Sequence, residues 1–131
     1  MVQVPLKGRE NQHETLCEDL LRERAAVLAR AGFAVEDALE KLVKIDRQLE
    51  EKLRDWRLRQ DDPADKEDLQ KPQSVIDDVN EIIDQFNVAC QKAEIQYYYL
   101  IVTREALGLR RHETVQKLYQ VPPKKKKMQA I

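Results

Sequence analysis

The side chains best suited to chemistry are few. The chain has two histidines, His13 and His112, and two cysteines, Cys17 and Cys90. Glu10-Asn-Gln-His13 spells Glu-x-x-His, but a carboxylate-bridged metal bundle needs two such motifs and two further inward glutamates. The residue three positions before His112 is Leu109. Two cysteines and two histidines scattered along the chain do not make a structural zinc site either. A cysteine nucleophile needs a depressed pKa and a neighbouring base. Cys17 instead lies near Glu14 and Glu18, which disfavour the thiolate, and Cys90 falls between Phe86 and Ala93 on an apolar row, where a thiol acts as a small hydrophobe. With no glycine-rich phosphate loop and no nucleophile elbow, the sequence reads as a protein that is not an enzyme and uses no cofactor and no metal.

The elements carrying these residues follow from composition and spacing. Charged residues make up 36% of the 131 positions, with only 3 Gly and 5% aromatics. Globular domains average about 25% charge, so exposed amphipathic helices are expected rather than strands. No apolar stretch reaches the roughly 20 residues of a membrane span and no signal peptide is evident. With so few cysteines the chain reads as reduced and cytoplasmic.

Residues 1–11 read as a mobile lead-in, with Asn11 and Glu14 as a helix start. A single helical domain over 12–121 follows, with helices expected at about 12–59, 74–107 and 112–120. Two prolines and five acids mark 60–72 as a loop, Ser74 and Asp77 look like the next capping box, and Gly108 is placed to end the second helix. In the third helix Val115, Leu118 and Tyr119 are expected to face inward. Residues 122–131 read as a disordered basic tail.

Both long helices carry heptad rows. The first runs Leu21, Ala25, Leu28, Gly32, Val35, Leu39, Leu42, Asp46, Leu49, Leu53 and Trp56. The second runs Ile76, Val79, Ile83, Phe86, Cys90, Ala93, Tyr97 and Leu100, extended by Arg104 and Leu107. Glu18/Arg22, Asp37/Lys41, Glu40/Lys44 and Glu50/Arg54 are acid-before-base pairs four apart that support an exposed helix. In an antiparallel hairpin, facing positions have a constant sum. A loop centred near residue 66 makes that sum about 132, pairing Trp56 with Ile76, Leu53 with Val79, Leu49 with Ile83, Asp46 with Phe86, Leu42 with Cys90, Leu39 with Ala93, Val35 with Tyr97 and Gly32 with Leu100. Gly32 is then either a gap opposite Tyr97 and Leu100 or a break in the first helix.

The second helix's stripe is widened by Val75, Ile82 and Ala89, beyond what one partner helix covers. The expected architecture is all-α: a long coiled-coil-like antiparallel hairpin with a short C-terminal helix, assembling as a homodimeric helical bundle. Ile45, Val75, Ile82 and Ala89 are interface candidates. Asp46 and Arg104 join them as polar residues on apolar rows: they either snorkel to water or specify register and oligomeric state. The hairpin register keeps them apart within one chain.

The net charge of −1 conceals a segregation. Residues 100–131 carry eight basic and two acidic residues, and the first 99 carry the remaining 15 and 22. Such an end suits an anionic partner, attraction between copies or simple solvation. The segment 105–119 resembles a helix-turn-helix DNA reader, but Gly108 to Val115 spans seven positions instead of six, and Arg104 replaces the small residue expected a turn before the glycine. Arg110, Arg111, Lys117, Lys124, Lys125, Lys126 and Lys127 are the candidate anion contacts, since phosphates need only cations. Pro122-Pro-Lys-Lys-Lys-Lys-Met128 looks like a short nuclear-import signal. The tyrosines Tyr97 to Tyr99 and Tyr119 read as packing residues rather than base-stacking platforms.

Thr103-Arg-Glu-Ala-Leu-Gly-Leu-Arg-Arg-His112 followed by Tyr119-Gln-Val-Pro122 resembles the C-terminal signature of a small bacterial all-α family of unknown function. That resemblance implies a bacterial cytosolic helical protein and brings no activity. The lysine-rich end departs from the apolar ending of that pattern. The function expected from the whole is a self-associating helical interaction or scaffolding protein. The alternative is a nucleic-acid-associated protein binding through its basic end.

Overall fold

A computed structural model describes residues 6–60 and 72–129. The chain is all-α: α1 spans Leu6–Gln60, α2 spans Pro72–Ala106 and α3 spans Glu113–Leu118. The expected acidic loop lies mostly outside the described residues. At 1.5 Å per residue, α1 is about 82 Å long and α2 about 52 Å. The two pack against each other as a hairpin.

Three buried clusters run along the seam, and they keep the expected register. Leu49, Val79 and Ile83 form one, flanked by Leu53, Val75 and Ile82. Leu42, Phe86, Cys90 and Ala93 form the next, with Leu39 against them. Val35, Leu100 and Val115 form the third, with Tyr97 and Tyr119 against them. Five of the eight expected seam pairs therefore share a cluster, and Trp56–Ile76, Asp46–Phe86 and Gly32–Leu100 do not. No buried residue among those described is polar or charged.

Several boundaries differ from the sequence reading. α1 begins at Leu6 and not near residue 12, so Asn11 is no cap; it lies inside the helix and its carbonyl accepts a hydrogen bond from Thr15 Oγ1 at 2.8 Å. α2 begins at Pro72, which suits a first helical residue because no partner is needed there for a backbone N–H. Ser74 thus falls inside the helix. Of the four acid-before-base pairs, Glu40 and Lys44 close to 3.6 Å; a further bridge joins the helices, Lys52 to Asp78 at 3.3 Å.

Gly108 ends α2 as expected. Its φ is +87°, the left-handed region that a Cβ disfavours. Leu109 N–H reaches Arg104 C=O at 2.9 Å and Gly108 N–H reaches Glu105 C=O at 3.0 Å, the paired bonds of a Schellman ending. Gly32 neither breaks α1 nor answers to Tyr97 and Leu100. A Cβ there would meet Tyr119 Oη at 3.8 Å, an ordinary contact. Since glycine inside a helix costs roughly 0.5–1 kcal/mol relative to alanine, Gly32→Ala is expected to stabilise the fold by about that amount. A urea titration reads it; a loss of stability would show the contact with Tyr119 to be tighter than described.

On this register α2 ends opposite about residue 26 of α1, so among the described residues the first part of α1 has no partner helix. Arg9 to Val27 are all exposed. The heptad row therefore continues through Leu21, which is 65% exposed, into solvent.

Candidate functional site

The seam leaves two flanks, and the molecule treats them differently. One flank is covered by the segment that follows α3. This basic segment is not a free tail. Residues 120–129 have no regular secondary structure, yet they are held against α2 at three levels. Cys90 Sγ–H points to Pro122 C=O at 3.6 Å. Asn87 makes a two-bond clasp with Lys125: its Nδ2 donates to the Lys125 carbonyl at 2.9 Å, and the Lys125 N–H donates to Asn87 Oδ1 at 2.8 Å. Asn80 repeats this with Met128, at 3.0 and 2.7 Å.

The spacing explains why two asparagines suffice. Asn80 and Asn87 are seven residues apart, about 10.5 Å along a helix. Lys125 and Met128 are three apart, about 10 Å in extended chain. The segment runs antiparallel to α2, and the heptad step matches three extended residues.

Side chains add to the clasp. Lys125 Nζ lies 3.0 Å from Asp46 Oδ1 and 4.8 Å from the centroid of the Phe86 ring, a cation–π arrangement. Lys127 Nζ lies 3.4 Å from Asp84 Oδ1. Val121 packs on the Leu42–Phe86–Cys90–Ala93 cluster. The strap meets α1 as well, and Leu39, Leu42, Val43, Asp46 and Phe86 line a cleft of about 460 Å³ with Pro122 to Lys125. Burial, with Glu94 nearby, pushes the Cys90 thiol up from its ordinary value, which favours the inert protonated form.

α3 links hairpin and strap. Val115 is buried, Tyr119 is half-buried, and Leu118, expected inward, is 67% exposed. Arg104 turns back on its own chain: its Nε–H reaches His112 Nδ1 at 3.3 Å and its Nη2 donates to Arg111 C=O at 2.9 Å. His112 Nε2 then contacts Glu105 Oε1 at 3.2 Å.

Tyr119 donates to Glu36 Oε1 at 2.6 Å. That bond, with burial and the Glu36 charge behind it, raises the Tyr119 pKa above its ordinary 10.0. A raised folded value means that the contribution is complete below the unfolded pKa and lost as pH rises through the folded one. Stability of the natural chain should therefore fall more steeply above pH 10 than that of Tyr119→Phe, read as urea midpoints across that range. Parallel profiles for the two chains would dismiss the linkage.

The opposite flank is open. Ala34, Ala38, Ile45, Val88, Ala89 and Ile95 line a cleft there of about 530 Å³. On α1 the apolar row continues as Leu16, Leu20, Val27, Ala31, Ala34, Ala38 and Ile45, with steps of three, four or seven residues. At about 100° per residue these occupy one narrow sector. Leu16, Leu20 and Val27 on it are all exposed.

Of the expected interface residues, Ile45 and Ala89 line this open flank, and Val75 and Ile82 are half-buried beside the Leu49 cluster. Asp46 and Arg104 both have partners within the chain, Lys125 for Asp46 and the Arg111–His112 stretch ahead of α3 for Arg104. Of the expected anion contacts, Lys125 and Lys127 are engaged with Asp46 and Asp84, whereas Arg110, Arg111, Lys117, Lys124 and Lys126 are exposed. Tyr98 and Tyr99 are exposed too, against their reading as packing residues. Cys17 is exposed, with Sγ 3.8 Å from His13 Nε2. Among the described residues no three His, Cys, Asp or Glu side chains gather where a metal could bind, and no helix is long and apolar enough to cross a membrane.

Fold and flanks define an all-α hairpin in which the segment after α3 straps one side of the seam. No protein-family model matches the chain, and no curated protein and no solved structure shows significant similarity to it.

Proposed function

We propose that the protein is a non-enzymatic helical interaction module that self-associates through α1 and the open flank. The observation behind this reading is the apolar row from Leu16 to Ile45, which runs from the open cleft onto a part of α1 that has no partner helix. Leu16, Leu20 and Val27 leave apolar surface exposed at one end of that row, the kind of patch that marks an interaction site when extensive, and helices in proteins owe most of their stability to tertiary packing of an apolar face. A second copy laid along the row covers that patch, supplies that packing and makes a four-helix arrangement where the hairpins overlap. Sedimentation at micromolar concentration tests it: the expected mass is about twice 15.4 kDa, and a clean monomer at high concentration refutes it.

The second reading, binding of nucleic acid by the basic end, is favoured by the exposure of Arg110, Arg111, Lys117, Lys124 and Lys126. Filter binding with mixed DNA and RNA at two salt concentrations separates the readings. Each duplex phosphate contact contributes about 0.9 to the log–log salt slope, and a self-associating module shows no such slope.

A further inference from the structure

We propose that the strapped flank is a peptide-binding groove for an extended, lysine-bearing segment supplied in trans, and that residues 121–128 are its internal ligand. This does not rest on self-association, which uses the opposite flank.

The groove recognises a peptide in three ways. The two asparagines read main chain, not side chain: each supplies one donor and one acceptor to the N–H and C=O of a single residue. Any non-proline residue can offer that pair, so the clasp demands an extended backbone and little else. Asp46 and Asp84 then select for cations two residues apart, as Lys125 and Lys127 are. In extended chain such residues share a face. The Phe86 ring, under the Lys125 ammonium, completes the inner subsite.

The internal ligand is built to be displaced from its far end. Asn80's bonds to Met128 are exposed. The Lys127–Asp84 pair is more than half exposed on both sides, and exposed pairs of this kind hold weakly. The inner end is better anchored, since Asn87's bonds to Lys125 are partly buried and Val121 sits on the core. The Leu49–Val79–Ile83 cluster draws all its residues from α1 and α2, so that part of the hairpin keeps its core when the strap lifts. An incoming segment can therefore take Asn80 and Asp84 first, then Asn87 and Asp46. Its apparent affinity is reduced by the fraction of time the groove is occupied in cis.

A fluorescein-labelled peptide of residues 120–129 is the probe, titrated against full-length chains. The natural chain should bind it weakly. Lys125→Ala/Lys127→Ala, which weakens the internal ligand and leaves the groove intact, should bind at least about tenfold tighter by this occupancy argument. Adding Asn80→Ala/Asn87→Ala should remove that binding. The same peptide with N-methyl groups on the nitrogens equivalent to Lys125 and Met128 keeps every charge but loses both donors, and should bind at least about tenfold weaker. Equal binding of the N-methylated peptide, or no binding by the weakened-strap chain, overturns the proposal. Hydrogen exchange on the unaltered protein decides the matter even if a variant fails to fold. Excess unlabelled peptide should accelerate exchange at the Lys125 and Met128 amides, and unchanged rates overturn the proposal.

Discussion

Replacing Phe86 by alanine is expected to cost about 3–5 kcal/mol, the range for a buried phenylalanine. The residue is 3% exposed and packs with Leu42, Cys90 and Ala93 at the middle of the seam. Two effects combine there. The ring's removal opens a cavity that two long helices cannot close without losing register, and it takes away the surface beneath the Lys125 ammonium, worth about 0.5–1 kcal/mol at a partly exposed site. Since domains of this size are stable by only about 5–15 kcal/mol, much of the total is at risk. Urea unfolding should show a lower midpoint with unchanged slope, because the surface exposed on unfolding hardly alters. Leu49→Ala, one cluster along, should cost about 2–5 kcal/mol without loosening the strap. A cost below 1 kcal/mol for Phe86→Ala would mean that the seam is not where the structure places it.

The seam was legible because an antiparallel hairpin over-determines itself. Two heptad rows and one loop position are independent readings, and a single sum had to satisfy all three. Leu49 with Ile83 and Leu42 with Cys90 follow from arithmetic alone. The strap was not legible by the same means. Its main attachments run from side chains to backbone, and a backbone leaves no sequence pattern. Pro122 to Lys127 have the composition of a solvated tail, and Asn80 and Asn87 read as polar helix surface. Their seven-residue spacing beside an apolar row was the available signal.

Asp46 shows the same blindness from the other side. Its place on an apolar row did mark something that the hairpin could not explain, but the partner is Lys125, 79 positions away on an element expected to be disordered. The apolar row on α1 was missed for a different reason. Leu20, Val27 and Ala34 lie between the heptad positions that the seam uses, so the first apolar row masks the second. Leu118 faces solvent instead of the core because α3 is only six residues long and turns Val115 inward.

Glutamates in place of Leu20 and Val27 should abolish self-association while sparing the hairpin. Both side chains lie on the part of α1 that precedes its packing with α2, and both are exposed, at 47% and 38%. In a lone chain the double substitution removes no buried contact, and surface changes of this kind usually stay within about 0.5 kcal/mol per site. In a symmetric dimer each change is made twice, because the same patch serves both copies. Burying a leucine or valine is worth about 1.5–3 kcal/mol, and an unpaired buried carboxylate costs more than the lost burial. Dissociation should therefore rise by at least about a hundredfold, the equivalent of roughly 2.7 kcal/mol. Light scattering should report a dimer for the natural chain and a monomer for Leu20→Glu/Val27→Glu at the same concentration. Far-UV circular dichroism should fall in step, since the first turns of α1 lose the partner that helps to hold them helical, while the urea midpoint of the hairpin extrapolates to the same value at low protein concentration. If the two chains give the same mass, the row from Leu16 to Ile45 is not the surface on which copies meet.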